Sequence, residues 1–172
     1  MRRKRLKTLV FSILLTLFIF IGNKVVDKIL QKQKFEKSIS TIPDFNFKTV
    51  NGTSFTKKNL KSGTSTVFLY FNSECDFCQH EAKSIADDHH LIKNVQLVFI
   101  STEPMEQIIN FSKVYALDKK ASVIFVQDEA KRFTKIFQPS SIPFNLIYDK
   151  EQKLLKTQKG QLTVQGLLKI IN

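Results

Sequence analysis

Residues 67–82 read VFLYFNSECDFCQHEA, and the fold turns on how this stretch divides. Val67 to Phe71 is a run of β-branched and aromatic residues, Asn72-Ser73 interrupts it, and Cys75-Asp76-Phe77-Cys78 opens a segment with apolar residues at helical spacing. The pattern predicts a buried strand, a tight turn and a helix N-terminus bearing two thiols. These are the only two cysteines in the chain. Spaced three apart at the start of a helix, their sulfurs come close enough to join as a small disulfide ring. Cys75 meets the unpaired N–H groups and the positive end of the helix dipole, which stabilise a thiolate, so it is the candidate nucleophile. Cys78, one turn further in, is placed to attack a mixed disulfide and release the partner, which is the resolving role.

The stretch FNSECDFCQHE (71–81), together with Ser141-Ile142-Pro143-Phe144-Asn145-Leu146-Ile147, resembles the thioredoxin superfamily, and most closely its membrane-anchored TlpA/ResA-like thiol-disulfide oxidoreductases. The resemblance runs from about Ile42 to the C-terminus. It implies a cis-proline at Pro143 beside the cysteines, followed by a central strand, and a redox-active Cys75–Cys78 disulfide with no other cofactor. It also implies that Ile142 and Pro143 bind substrate, the backbone of Ile142 pairing with an extended segment of a client protein. One departure stands out: the family usually has Trp before the first cysteine, whereas Glu74 stands here and the chain has no Trp. Glu74, Asp76 and Phe77 are therefore the residues expected to modulate the nucleophile. Two carboxylates beside Cys75 oppose its thiolate and favour the disulfide, which predicts a reducing enzyme.

Outward from the cysteines, the chain predicts strand and helix in alternation. Pro43 opens Asp44 to Val50, which leads into Asn51-Gly52, a strong hairpin-turn signal, and then Thr53-Ser54-Phe55. After the cysteines, Cys78, Ala82, Ile85, Ala86 and His89 define a buried helix face, with Gln79, Glu81, Lys83 and Asp87 outside. Strands follow at Val95 to Ser101 and Ser122 to Val126. Helices are predicted at Met105 to Tyr115, with Ile108, Ser112 and Tyr115 inward, and at Ala130 to Phe137. Phe144 to Tyr148 and Lys153 to Gln158 form an antiparallel pair around Asp149-Lys150-Glu151, and Thr163 to Ile171 closes as a helix. The expected fold is α/β: a thioredoxin-like mixed sheet covered by helices on both faces, with an added N-terminal β-hairpin.

At 172 residues, 42% hydrophobic and 11% aromatic, the chain suffices for one domain with an appendage. Its net charge of +12 is unevenly spread. Residues 1–7 carry five Lys/Arg and no acid, and residues 24–37 five Lys against two acids, so most of the excess lies in the N-terminal part. A nucleic-acid-binding face on the domain is not expected. The basic cluster Met1 to Lys7 precedes an uncharged run, Thr8 to Gly22, without a small-x-small cleavage pattern after it. Residues 1–23 are read as an uncleaved signal anchor that Asn23 to Val26 can extend toward the ~20 residues a span needs. Residues 24–41 are read as a stalk or linker and 42–172 as the thioredoxin-like domain. The charge cluster puts the N-terminus in the cytoplasm of a bacterial cell, making this a single-pass protein whose domain faces the periplasm or the outside. The partners implied are protein dithiol or disulfide substrates, a membrane or extracytoplasmic electron donor, and membrane lipid around the N-terminal helix.

Two other functions use related folds. A copper-delivery protein needs a third ligand near the thiols, but at ~100° per residue His80 points well away from both cysteines, and no histidine follows His90. No metal site is expected. A peroxiredoxin places Thr or Ser and Pro ahead of its peroxidatic cysteine; here Ser73 precedes Cys75 by two positions and no proline is near.

Overall fold

A computed structural model describes the backbone of residues 2–171 and the side chains of residues 17, 18 and 20–171. The chain divides into two compact units, residues 1–38 and Ile39–Asn172. The first is a single helix, α1 (Arg2–Ser38). Its described side chains are exposed save the half-buried Phe35, with Lys32 and Glu36 paired at 3.7 Å. The predicted anchor at 1–23 lies largely outside the residues whose side chains are described. Among the described residues, no helix is long and apolar enough to cross a membrane.

The second unit begins at Ile39 because Ile39 and Ile42 are both buried in it, and the Tyr148 hydroxyl donates to the Ile39 carbonyl at 3.1 Å. Its seven strands are β1 (Asn46–Thr49), β2 (Ser54–Thr56), β3 (Ser65–Tyr70), β4 (Val95–Ser101), β5 (Val123–Gln127), β6 (Phe144–Tyr148) and β7 (Leu154–Lys159). They form one mixed sheet in the order β2-β1-β5-β4-β3-β6-β7. The hairpin β1–β2 turns at Gly52, whose φ of 79° suits glycine, and joins the sheet antiparallel to β5. β3 pairs in parallel with β4 and antiparallel with β6.

The central strands are apolar on both sides because both sides are covered. Val67, Leu69, Leu97, Phe99 and Ile147 face α2 (Asp76–Asp88), α3 (Met105–Val114) and α5 (Val164–Ile171). On the opposite face Phe68 packs on Phe45, Phe137 and Tyr148, and Tyr70 stacks on Phe133 at 4.9 Å, which seats α4 (Arg132–Phe137). The fold is thioredoxin-like. The helix predicted from Ala130 starts two residues later, because Lys131 adopts a left-handed φ of 53° and the Asp128 carboxylate takes the N–H groups of Arg132 and Phe133. In α3 the inward aromatic is Phe111, and Tyr115 lies half-buried against it.

The expected outside position of Glu81 is overturned: it is 1% exposed. Three residues turn a helix ~60° short of a full circle. Glu81 therefore sits at the flank of the arc set by Cys78, Ala82 and Ile85, where α5 and the segment before it close over the helix.

Candidate active site

The topology decides where the cysteines meet their surroundings. From β3 the chain runs outward through β4 to β5, then returns to the other side of β3 as β6. The strand order reverses at β3, and its carboxyl end is where binding sites of open α/β sheets form. Because β6 runs antiparallel, with Phe144 opposite Tyr70, its leading residues Ile142 and Pro143 arrive at that same end. The Ile142–Pro143 peptide is cis.

Cys75 is the N-cap of α2: its carbonyl accepts from Cys78 N–H at 2.9 Å and Gln79 N–H at 3.0 Å. Its side chain is half-buried, and Sγ donates to the Ile142 carbonyl at 3.7 Å. Both cysteines are free thiols. Cys78 is fully buried, and burial first, then its hydrogen bond with Cys75, pushes its thiol pKa far above the ordinary value. The negative charge of Glu81 adds to that rise. Phe77 and Ile142 are 62% and 44% exposed, and they put apolar surface beside the cysteines. Glu74 and Asp76 point into solvent, where salt weakens their action on the sulfur.

Two further residues, neither singled out from sequence, complete the site. Glu103, in the loop after β4, receives Ser73 N–H at 2.8 Å and Ser73 Oγ–H at 2.6 Å, while its own loop is tied by Ser101 Oγ–H at 2.8 Å. The Gln79 amide then donates to the Ser73 carbonyl at 2.9 Å. The turn ahead of Cys75 is thereby fixed from both sides. Glu81 lies inside the core on the Cys78 side of α2. Burial raises its carboxyl to about 8, against smaller lowering contributions from the Leu162 backbone and the Asn145 amide.

The histidines stand apart from this arrangement. His80 and His90 are exposed, and His89 shares a 2.8 Å hydrogen bond with Ser122 Oγ. Among the described residues, no three or more His, Cys, Asp or Glu side chains converge as a metal site.

A family model described as AhpC/TSA family matches residues 40–161. The chain belongs to the AhpC/TSA family. Solved structures share the fold of this AhpC/TSA member at low identity. A thioredoxin-like protein from Aeropyrum pernix is 14% identical with a TM-score of 0.63, covering 87% of this chain and 95% of its own. A secreted Mycobacterium tuberculosis disulfide oxidoreductase homologous to Escherichia coli DsbE is 18% identical with a TM-score of 0.62, covering 77% and 94%. StoA from Bacillus subtilis is 21% identical with a TM-score of 0.55, covering 76% and 97%. No curated protein matches the chain in sequence.

Proposed function

We propose that the chain is a membrane-anchored, extracytoplasmic thiol-disulfide oxidoreductase that reduces disulfides in proteins. The observation that carries this reading is the unequal setting of the two thiols. Cys75 is reachable at a helix N-cap beside the Ile142 carbonyl, and Cys78 is buried one turn in. Only the outer sulfur can meet a folded client, and only the inner one is positioned to release it.

In the first step the Cys75 thiolate attacks a client disulfide, forming the Cys75–client S–S bond and expelling the client's other sulfur as thiolate. Glu81 in its carboxylate form then takes the proton of Cys78. The Cys78 thiolate attacks Cys75 Sγ, the Cys75–Cys78 bond forms, and the second client sulfur leaves as a thiolate that solvent protonates. Two electrons have passed from the dithiol to the client, and a dithiol donor at the membrane must return them. A carboxyl titrating at about 8 is ionised in roughly a tenth of molecules at pH 7, so the release step quickens as pH rises through that range. Ile142 and the exposed Phe77 offer an apolar seat and a backbone edge to an extended client segment.

The anchor rests on the basic cluster at 2–7 and the uncharged run after it. Family membership favours testing peroxide reduction as a second reading, although the Ser73 hydroxyl is committed to Glu103 rather than to Cys75. The full chain in detergent, supplied with dithiothreitol, should reduce insulin disulfides. It should also fractionate with membranes, its domain cut by protease added from outside. Peroxide consumption without disulfide reduction, or copper retained through dialysis and lost with either cysteine, would replace this reading.

A further inference from the structure

All five residues of β6 are buried, and one of them is an amide. Side chains alternate along a strand, so Asn145 shares with Ile147 the face covered by α2 and α5. Asn145 is fully buried beside Leu69 of β3. Its Nδ2 donates to the Gly160 carbonyl at 3.4 Å and its amide also acts on the Glu81 carboxyl, while its Oδ1 has no hydrogen-bond partner. Oε2 of Glu81 is buried and unpartnered in the same way. An amide kept only for structure is normally saturated, because each buried unpaired polar atom costs about 1–3 kcal/mol. Leucine would fill the position without that cost.

We propose that Asn145 is a positioning residue for proton transfer at the buried thiol, holding Glu81 beside Cys78 and stabilising its carboxylate form. This rests on the reading of Cys75 and Cys78 as the reactive dithiol. The two orphan acceptors are complementary to a single proton. When Glu81 is ionised, the Asn145 NH₂ faces it as donor. When Glu81 has taken the Cys78 proton, the new O–H can donate to Asn145 Oδ1, and a rotation of the amide serves both forms. The Glu81 carboxylate thus becomes carboxylic acid as the Cys78 thiol becomes thiolate, with no charge gained or lost. The groups acting on Glu81 are Cys78 from its own helix, Asn145 from β6 and the Leu162 backbone ahead of α5. Asp128, the other buried carboxylate among the described residues, is engaged at the start of α4.

The test follows the Glu81 carboxyl directly, by the pH dependence of its infrared C=O band in the full chain, for wild type, Asn145→Leu and Asn145→Thr. Release of a trapped mixed disulfide is timed over the same pH range. In Asn145→Leu the midpoint should move to higher pH, with release slowed severalfold at pH 7 and restored at alkaline pH. Asn145→Thr, whose hydroxyl can still donate, should fall between. Should the leucine variant not fold, the threonine variant carries the same comparison. A midpoint unmoved or lowered in a folded variant overturns the proposal. Because the band reports on the pair whether or not exchange occurs, absence of exchange in the wild type would overturn the functional reading separately.

Discussion

Replacing Glu81 by glutamine should make the protein more stable and less capable. The Glu81 carboxyl titrates near 4.5 when free and at about 8 in the fold. Between those values the folded chain binds a proton that the unfolded chain has lost, so stability falls as pH rises, by about 1.4 kcal/mol per pH unit. The contribution is complete below pH 4.5 and exhausted once pH passes 8. At pH 7 the accumulated loss is on the order of 3 kcal/mol, a large part of the roughly 5–15 kcal/mol that holds a domain folded. Glutamine keeps the volume and stays neutral throughout, so Glu81→Gln should remove the slope. Urea unfolding of the full chain with both cysteines reduced, at several pH values from 5 to 8, reads this directly. The variant should match wild type near pH 5 and exceed it increasingly toward pH 8, while its release of a mixed disulfide slows at pH 7. Parallel stability curves for the two proteins would refute the buried neutral carboxyl and the base assigned to it.

Glu103→Ala should strip the turn ahead of Cys75 of its clamp, leaving the Ser73 N–H without its acceptor at a cost of about 1–3 kcal/mol and lowering the exchange rate. Urea midpoints and insulin reduction measure both effects, and Glu103→Gln, which keeps an acceptor, should lose less. The double change Glu74→Gln with Asp76→Asn should make the dithiol couple more oxidising by only about 10 mV, since both carboxylates are exposed and a few tenths of a kcal/mol is the scale of such effects. Equilibration with glutathione reads that shift, and a move toward more reducing values would contradict the like-charge argument.

The strand–turn–helix at 67–82 was legible because each of its parts is a local signal: an apolar run, a break, and two thiols on one turn. The hairpin was legible for the same reason, through Asn51-Gly52. What periodicity missed is what depends on elements distant in sequence. Glu103 reaches Ser73 across 30 residues, because parallel pairing of β3 and β4 brings their carboxyl ends together. Glu81 is polar and lies at the margin of its helix's apolar arc, so only the closure of α5 and its lead-in segment buries it. Its spacing of three from Cys78 was the available clue. Asn145 sits in an apolar strand, where a lone amide is a visible exception, but its partner is fixed by the sheet and not by the strand itself.

The most direct test of the central claim is intact-mass analysis of the full chain after reaction with a disulfide-bearing client protein. The Cys78→Ser variant should accumulate one covalent client adduct, joined through Cys75 and released by dithiothreitol, whereas Cys75→Ser should form none. An adduct carried by Cys78 in the Cys75→Ser variant, or no adduct in either, would contradict the assignment of Cys75 as nucleophile and Cys78 as the thiol that resolves it.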